Sequence, residues 1–382
     1  MNVGDFMDEY KDSVEDMDSY FKFVDDGMSD DERKKFVDGV IGSKNEYLKS
    51  IGYEIDGDGK ISLPDTMMED GIIGFAVADA LGVPVEFYSR SRLDKHPCKD
   101  MIGFGSHLVP EGTWSDDTSM MLATMDSIID NGLINCDDVM NKFYMWLEYA
   151  KYTALNTNFD IGITTKKSIL NYKTGIDPLL CGGKDIRDNG NGSLMRMLPV
   201  AYYLNENNLD EEQEVQMVNS VSSLTHAHEI SCLGCKIYCD YVKQLLNGVD
   251  KKYALSHVCK NDYSKYYSDD AVNKYSRILK GDIIELSRDD IKSTGYVVDT
   301  LEASLWSFLN TDSFEEAVIS AVNLGGDTDT IGAITGSMAG IVYGKKEIPS
   351  RWLVKLKRKE YIEEISNNFV DVIKSNNKDR KR

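Results

Sequence analysis

From Met67 onward the chain is built of apolar stretches that are too long for strands and are patterned for helices. GIIGFAVADALG, SMMLATMDSIIDNG, SLMRMLPVAYYL, EISCLGCKIYCDYVKQLLNG, TLEASLWSFL, FEEAVISAVNLGG and IGAITGSMAGIVYG are rich in Ala, Leu, Met and Ile. Polar residues recur in them at helical spacing. Several end in glycine, a helix stop signal: Gly82, Gly132, Gly248 and Gly344. Only 7 prolines interrupt 382 residues, and convincing strands are few. The expected fold class is all-α, with one multi-helix domain over residues 66–370 and a polar basic tail at 371–382.

Charge sets residues 1–65 apart. The net charge is −21, and nearly half of it lies in this extension. Phe21, Phe23, Phe36, Val37 and Ile41 still recur at helical spacing, so short acidic helices are expected there. Alternating apolar residues around two Asp-Gly pairs in YEIDGDGKISLPD (53–65) suggest a hairpin or tight turn. Glu54, Asp56, Asp58 and Asp65 fit a calcium loop only in part. An overall excess of acid argues against a nucleic-acid partner. No apolar run is long enough to cross a membrane, and the acidic start is unlike a signal peptide. A cytoplasmic monomer without disulfides is expected, since the 7 cysteines are an odd number in a large chain.

Two distant acidic clusters carry the chemistry. Ser115-Asp116-Asp117-Thr118 and Gly325-Gly326-Asp327-Thr328-Asp329-Thr330 each open an apolar helix. N-capping accounts for one oxygen in each. Each cluster offers more than a cap needs, and if the helix starts face each other their carboxylates repel unless cations join them. Oxygen donors of this kind suit Mg²⁺, Mn²⁺ or Ca²⁺ rather than zinc. Arg187-Asp188-Asn189-Gly190-Asn191-Gly192-Ser193 leads into a helix and is either a phosphate cradle or a plain capped loop. Cys232, Cys235 and Cys239 fall at i, i+3, i+7 and read as a buried helix stripe rather than a zinc site.

DGIIGFAVADALGVPVEF, SDDT, NGNGSLMRMLPVA, SLTHAHE and the segment from TLEASLWSFL to NLGGDTDTIGAITGSMAGIVYG occur in this order and at suitable spacing. Together they resemble the ADP-ribosylglycohydrolase family, of the type that reactivates dinitrogenase reductase. The resemblance spans about residues 66–355 and implies an orthogonal all-α fold. It also implies two Mg²⁺ (or Mn²⁺) ions that assist water attack at C1″ of the distal ribose, releasing ADP-ribose from a modified protein.

Carried over residue by residue, the implied metal ligands are Ser115, Asp116, Asp117, Asp327, Asp329 and Thr330. Glu86 matches the family's loop acid near the scissile bond. Asp160, in the FDIG segment with Gly162, matches an acid of arginine-type members. Asn189, Gly190, Asn191, Gly192 and Ser193 match the loop that wraps the pyrophosphate. His226 matches a histidine near the ligand. The implied catalytic set is Glu86, Asp116, Asp117, Asp160 and Asp329, with Thr118 as a cap. Residues 1–65 look like an addition to such a domain, either a packed decoration or an arm that binds and blocks an ADP-ribosyltransferase. That second reading makes the chain an immunity protein, with or without hydrolase activity.

Overall fold

The structure, a computed structural model, describes residues 54–55, 61–62 and 66–380, with side chains from 66 to 375. The chain divides into two compact units, Met1–Ser62 and Leu63–Arg382. In the first, β1 (Glu54–Ile55) pairs antiparallel with β2 (Ile61–Ser62), Ile55 opposite Ile61. The acidic helices and the transferase-binding arm expected over residues 1–65 otherwise lie outside the described residues, as does the Asp56–Asp58 part of the calcium-like loop.

The second unit is all-α. Its longer helices are α1 (Met67–Gly82), α2 (Asp116–Asn131), α3 (Cys136–Tyr149), α4 (Ile163–Lys173), α5 (Leu198–Glu206), α6 (Glu211–Ser223), α7 (Glu229–Leu246), α8 (Lys251–Lys260), α9 (Val297–Leu309), α10 (Phe314–Val322), α11 (Thr328–Tyr343) and α12 (Lys359–Arg380). Short polar residues start many of them. Ser115, Asn135, Asp210, His228, Asp250 and Ser313 each accept a backbone N–H of the first turn. Gly132 ends α2 in the left-handed conformation, φ 66°. Residues read as a tail continue α12, whose Phe369, Val370 and Ile373 are buried. Cys232, Cys235 and Cys239 are buried on α7, and all 7 cysteines are free thiols. Among the described residues no helix is long and apolar enough to cross a membrane.

α1 and α11 form the centre. Both are apolar on nearly every side and buried along almost their whole length. They run antiparallel, backbone against backbone. A Cβ on Gly74 would lie 2.4 Å from Gly336 O, and one on Gly340 would lie 2.4 Å from Asp70 O. The same contact corrects the reading of Gly82 as a helix stop. Its φ is −74°, and the chain passes directly into a 3-10 turn at Val83–Val85. Glycine stands there because a Cβ would come within 2.4 Å of Asp329 Cα. The end of α1 is therefore pressed onto the acidic start of α11.

Any side chain in this seam must push the two helices apart. Gly336→Val should cost about 2 kcal/mol or more, because overpacking a dense core typically costs 1–3 kcal/mol. Chemical denaturation checks this, and an unchanged midpoint would mean that the helices do not meet so closely.

Candidate metal and acid site

The two acidic helix starts do face each other. Ser115 caps α2, its Oγ accepting Asp117 N–H at 3.2 Å. α11 begins just after Gly325 and Gly326, both at positive φ (75° and 76°), which turns Asp327 and Asp329 inward. Thr330 Oγ1 donates to Asp117 Oδ1 at 3.4 Å, joining the two starts. Oxygens of Asp79, Asp117 and Asp329 lie within 4.8 Å of one another, as do those of Glu86, Asp327 and Asp329. Asp116, also buried, belongs to neither group.

Asp79 is a residue that the sequence reading missed. It is fully buried on α1. Ser115 N–H donates to both its oxygens, at 3.0 and 3.1 Å. Thr118 donates twice to Oδ2, from N at 3.1 Å and from Oγ1 at 2.5 Å. Asp79 therefore spends its lone pairs on the first turn of α2 and sets where Asp116 and Asp117 sit. Thr118, expected as a cap, is a donor to this anchor. The available signal was a lone acid inside the apolar run GIIGFAVADALG.

His107, the other omission, organises the second acid pair. Its Nε2 is hydrogen-bonded to Glu86 Oε2 and lies 3.8 Å from Asp160 Oδ2. The imidazole is flanked by the rings of Phe87 at 5.8 Å and Phe159 at 5.1 Å. Glu86, His107 and Asp160 form a third close group. Since Glu86 also stands with Asp327 and Asp329, it links this trio to the aspartate cluster. No spacing rule pointed to His107, which lies in a loop. Gly162 caps α4 two residues beyond Asp160, with only an ordinary contact where a Cβ would lie.

The Asn189–Ser193 loop lies beside the aspartates, but most of its side chains are used internally. It leads into a 3-10 turn at Leu194–Arg196, not directly into α5. Asn189 Oδ1 accepts from Ser231 N and Oγ at 3.2 and 2.9 Å. Ser193 is buried against Ser222 and Cys235. Asn191 Nδ2 donates to Asp327 Oδ2 and to Thr300 Oγ1, both at 3.0 Å, so it orients a cluster acid. His226 is buried, Nδ1 to Thr225 Oγ1 at 2.8 Å, with its ring against Gly190 and Gly192. Burial, and then the nearby Arg196, lowers its pKa to about 3, so it is a neutral bed for the loop. Gly192 leaves no room for a Cβ, which would lie 2.8 Å from both His226 Cε1 and Thr165 Oγ1, whereas one on Gly190 would make only an ordinary contact with His226 at 3.4 Å.

The segment 288–297 ties these parts together. The Arg90 guanidinium donates to Leu324 O at 3.0 Å, Arg288 O at 2.6 Å and Ile291 O at 2.5 Å. Asp327 N donates to Ser293 O at 3.0 Å, and Asn191 N to Gly295 O at 3.0 Å. Phe87 N donates to Gly326 O at 2.7 Å. The Glu86 loop, the start of α11 and the Asn189–Ser193 loop thus share one scaffold.

Electrostatics show what the site wants. Burial, and then repulsion from neighbouring carboxylates, pushes Asp116, Asp117 and Asp329 well above the usual range. Asp327 is raised mainly by burial. Burial raises Asp79 to about 6 against the hydrogen bonds it accepts from Ser115 and Thr118. Glu86 is pushed up to about 11, by burial first and then by Asp160 and Asp327. Asp117 Oδ2 and Asp327 Oδ1 are buried without a hydrogen-bond partner. Unpartnered oxygens among mutually repelling carboxylates fit hard divalent cations.

Comparison with known proteins points the same way. The profile of the family described as ADP-ribosylglycohydrolase matches residues 68–379. The chain is 32% identical over 300 residues to the ADP-ribosylarginine hydrolase Tri1 of Serratia proteamaculans, covering 78% of this chain and 77% of that one. It is 31% identical over 292 residues to the ADP-ribosyl-[dinitrogen reductase] glycohydrolase of Rhodospirillum rubrum, covering 75% and 89%. A solved structure described as an ADP-ribosylglycohydrolase-related protein complex superposes with a TM-score of 0.67 at 29% identity, over 81% of this chain and 98% of that one. With this extent of match and the facing acidic helix starts at its centre, the chain belongs to the ADP-ribosylglycohydrolase family of enzymes.

Proposed function

We propose that this protein hydrolyses the glycosidic bond between ADP-ribose and an arginine side chain of a modified protein, using two Mg²⁺ or Mn²⁺ ions. The observation that carries the reading is that buried Asp329 stands with Asp117 in one close group and with Asp327 and Glu86 in another, with an unpartnered oxygen on Asp117 and on Asp327. The names of two relatives, both ADP-ribosylarginine hydrolases, support the arginine linkage.

Asp117, Asp327 and Asp329 are the central ligands, with Ser115, Asp116 and Thr330 completing the set from the two helix starts. When bound, the ions supply neutralising charge, a grip on vicinal hydroxyls and acidification of water. Asp79 keeps the first turn of α2 in place, and Asn191 holds Asp327. With its side chains committed elsewhere, the Asn189–Ser193 loop offers its backbone to the pyrophosphate, and His226 supports it from below. Water attacks C1″ as the bond from C1″ to the guanidine nitrogen breaks. Glu86 handles the proton that passes from that water to the leaving nitrogen. Asp160 faces the cationic guanidinium, and His107 fixes the spacing of the two acids.

Release of ADP-ribose from an arginine-modified protein, with Mg²⁺, with Mn²⁺ and with chelator, tests the reading. Release should require the cation. Asp117→Asn and Asp329→Asn should each lower kcat/KM by more than about 100-fold, since even outer-shell changes cost 10–100-fold. Asp79→Asn should fall within that outer-shell range. Chelator-resistant release, or full activity in Asp117→Asn, would sink the assignment.

The raised carboxyls also predict a pH-dependent response to metal. The folded chain holds protons on them that the unfolded chain has lost. Without cations, stability therefore falls as pH rises from the ordinary carboxylate range through Asp79's value of about 6 and beyond. Mg²⁺ should raise Tm, and more at about pH 8 than at about pH 5, where protons already neutralise the cluster. Differential scanning fluorimetry checks this, and equal shifts at both pH values would contradict it.

A further inference from the structure

Three large apolar side chains beside the acid trio are held out toward solvent. Phe87 is 70% exposed, Phe104 70% and Leu108 76%. All three have left-handed backbones, with φ of 63°, 58° and 53°. Such a conformation costs a bulky residue on the order of 1–2 kcal/mol. Burial does not offset that cost here, because these side chains are not buried. Conformational strain combined with apolar exposure, repeated within two touching loops, is the signature of a surface shaped for contact.

Their location says contact with what. Phe87 directly follows Glu86, and Phe104 and Leu108 bracket His107. The second loop closes on itself through Phe104 N to Val109 O at 2.7 Å. It is clamped to the first by Ser106 N to Pro84 O at 2.9 Å and by the Ser106 hydroxyl to Glu86 O. Gly105 permits the clamp, since a Cβ there would lie 1.6 Å from Pro84 O. Phe87, whose ring meets His107 at 5.8 Å, and the clamped loop that carries Phe104 and Leu108 therefore stand beside Glu86 and His107. The Asn189–Ser193 loop is attached instead to the segment 288–297 and α7.

We propose that Phe87, Phe104 and Leu108 form an apolar collar that docks the protein segment carrying the ADP-ribosylated arginine. The inference rests on the hydrolytic reading above and adds where the polypeptide on either side of the modified arginine binds. The occupant presents a cationic guanidinium to Glu86 and Asp160 and flanks it with apolar side chains that cover the collar. The charge of the acid trio selects the modified side chain, and the collar binds the chain on either side of it.

The test compares two substrates of one linkage, an ADP-ribosylated protein and free ADP-ribosylarginine. The variant is Phe104→Asn with Leu108→Asn, because asparagine tolerates the left-handed backbone and so preserves the loop. On the protein substrate kcat/KM should fall by about tenfold or more, mainly through KM, the loss expected when two apolar interface anchors are removed. On free ADP-ribosylarginine it should stay unchanged. Equal losses on both substrates, or no loss on the protein, would overturn the collar while leaving the hydrolytic reading intact. Wild-type protein that releases ADP-ribose from neither would sink that reading and the collar with it.

Discussion

Carboxylates gathered in a dry pocket repel one another, and each loses its hydration as well. A fold that buries Asp116, Asp117, Asp327 and Asp329 must hold them against that repulsion. Helix geometry does part of this. Both clusters sit at helix N-termini, where backbone N–H groups favour negative charge. Asp79 does another part, fastening α2 to α1 through Ser115 and Thr118. The glycine seam does the rest by bringing α11 against α1, so that Gly82 touches Asp329. Asp117 Oδ2 and Asp327 Oδ1 stay without a hydrogen-bond partner, and oxygens of that kind are the donors a hard divalent cation takes.

The surrounding loops are subordinate to that pair of helices. Arg90 and the segment 288–297 have no reactive role, yet they hold three site segments in register through backbone carbonyls. A guanidinium suits this task because its planar fork can satisfy several acceptors at once. The Glu86 loop takes its place from Gly326 O and the start of α11, and the Asn189–Ser193 loop from Gly295 and Ser231. These loops are thereby tied to the buried helix pair, as a preorganised site requires.

Much of this was legible in the residues. The apolar periodicity gave the helices, and cap letters in excess of capping needs gave both acidic clusters. Asp79 was not legible, because one acid in an apolar helix carries no spacing signal until its partners are seen. His107 lay in a loop of unremarkable composition. Gly82 looked like a helix stop, since glycine is common at helix ends, whereas its real constraint is the backbone of Asp329, 247 residues away in sequence but in contact in space. The loop asparagines and Ser193 suggested ligand contacts, but Asn189, Asn191 and Ser193 turn out to bond within the protein. Sequence shows which atoms are available, and only packing shows which are already taken.

We propose that the facing helix starts hold two divalent cations. Anomalous diffraction from crystals of the whole protein grown with Mn²⁺ addresses it directly. Two peaks should appear between the starts of α2 and α11, contacted by Asp117, Asp327 and Asp329, with Asp79 still bonded to Ser115 and Thr118. Manganese absent from that space, or bound only elsewhere, would contradict it.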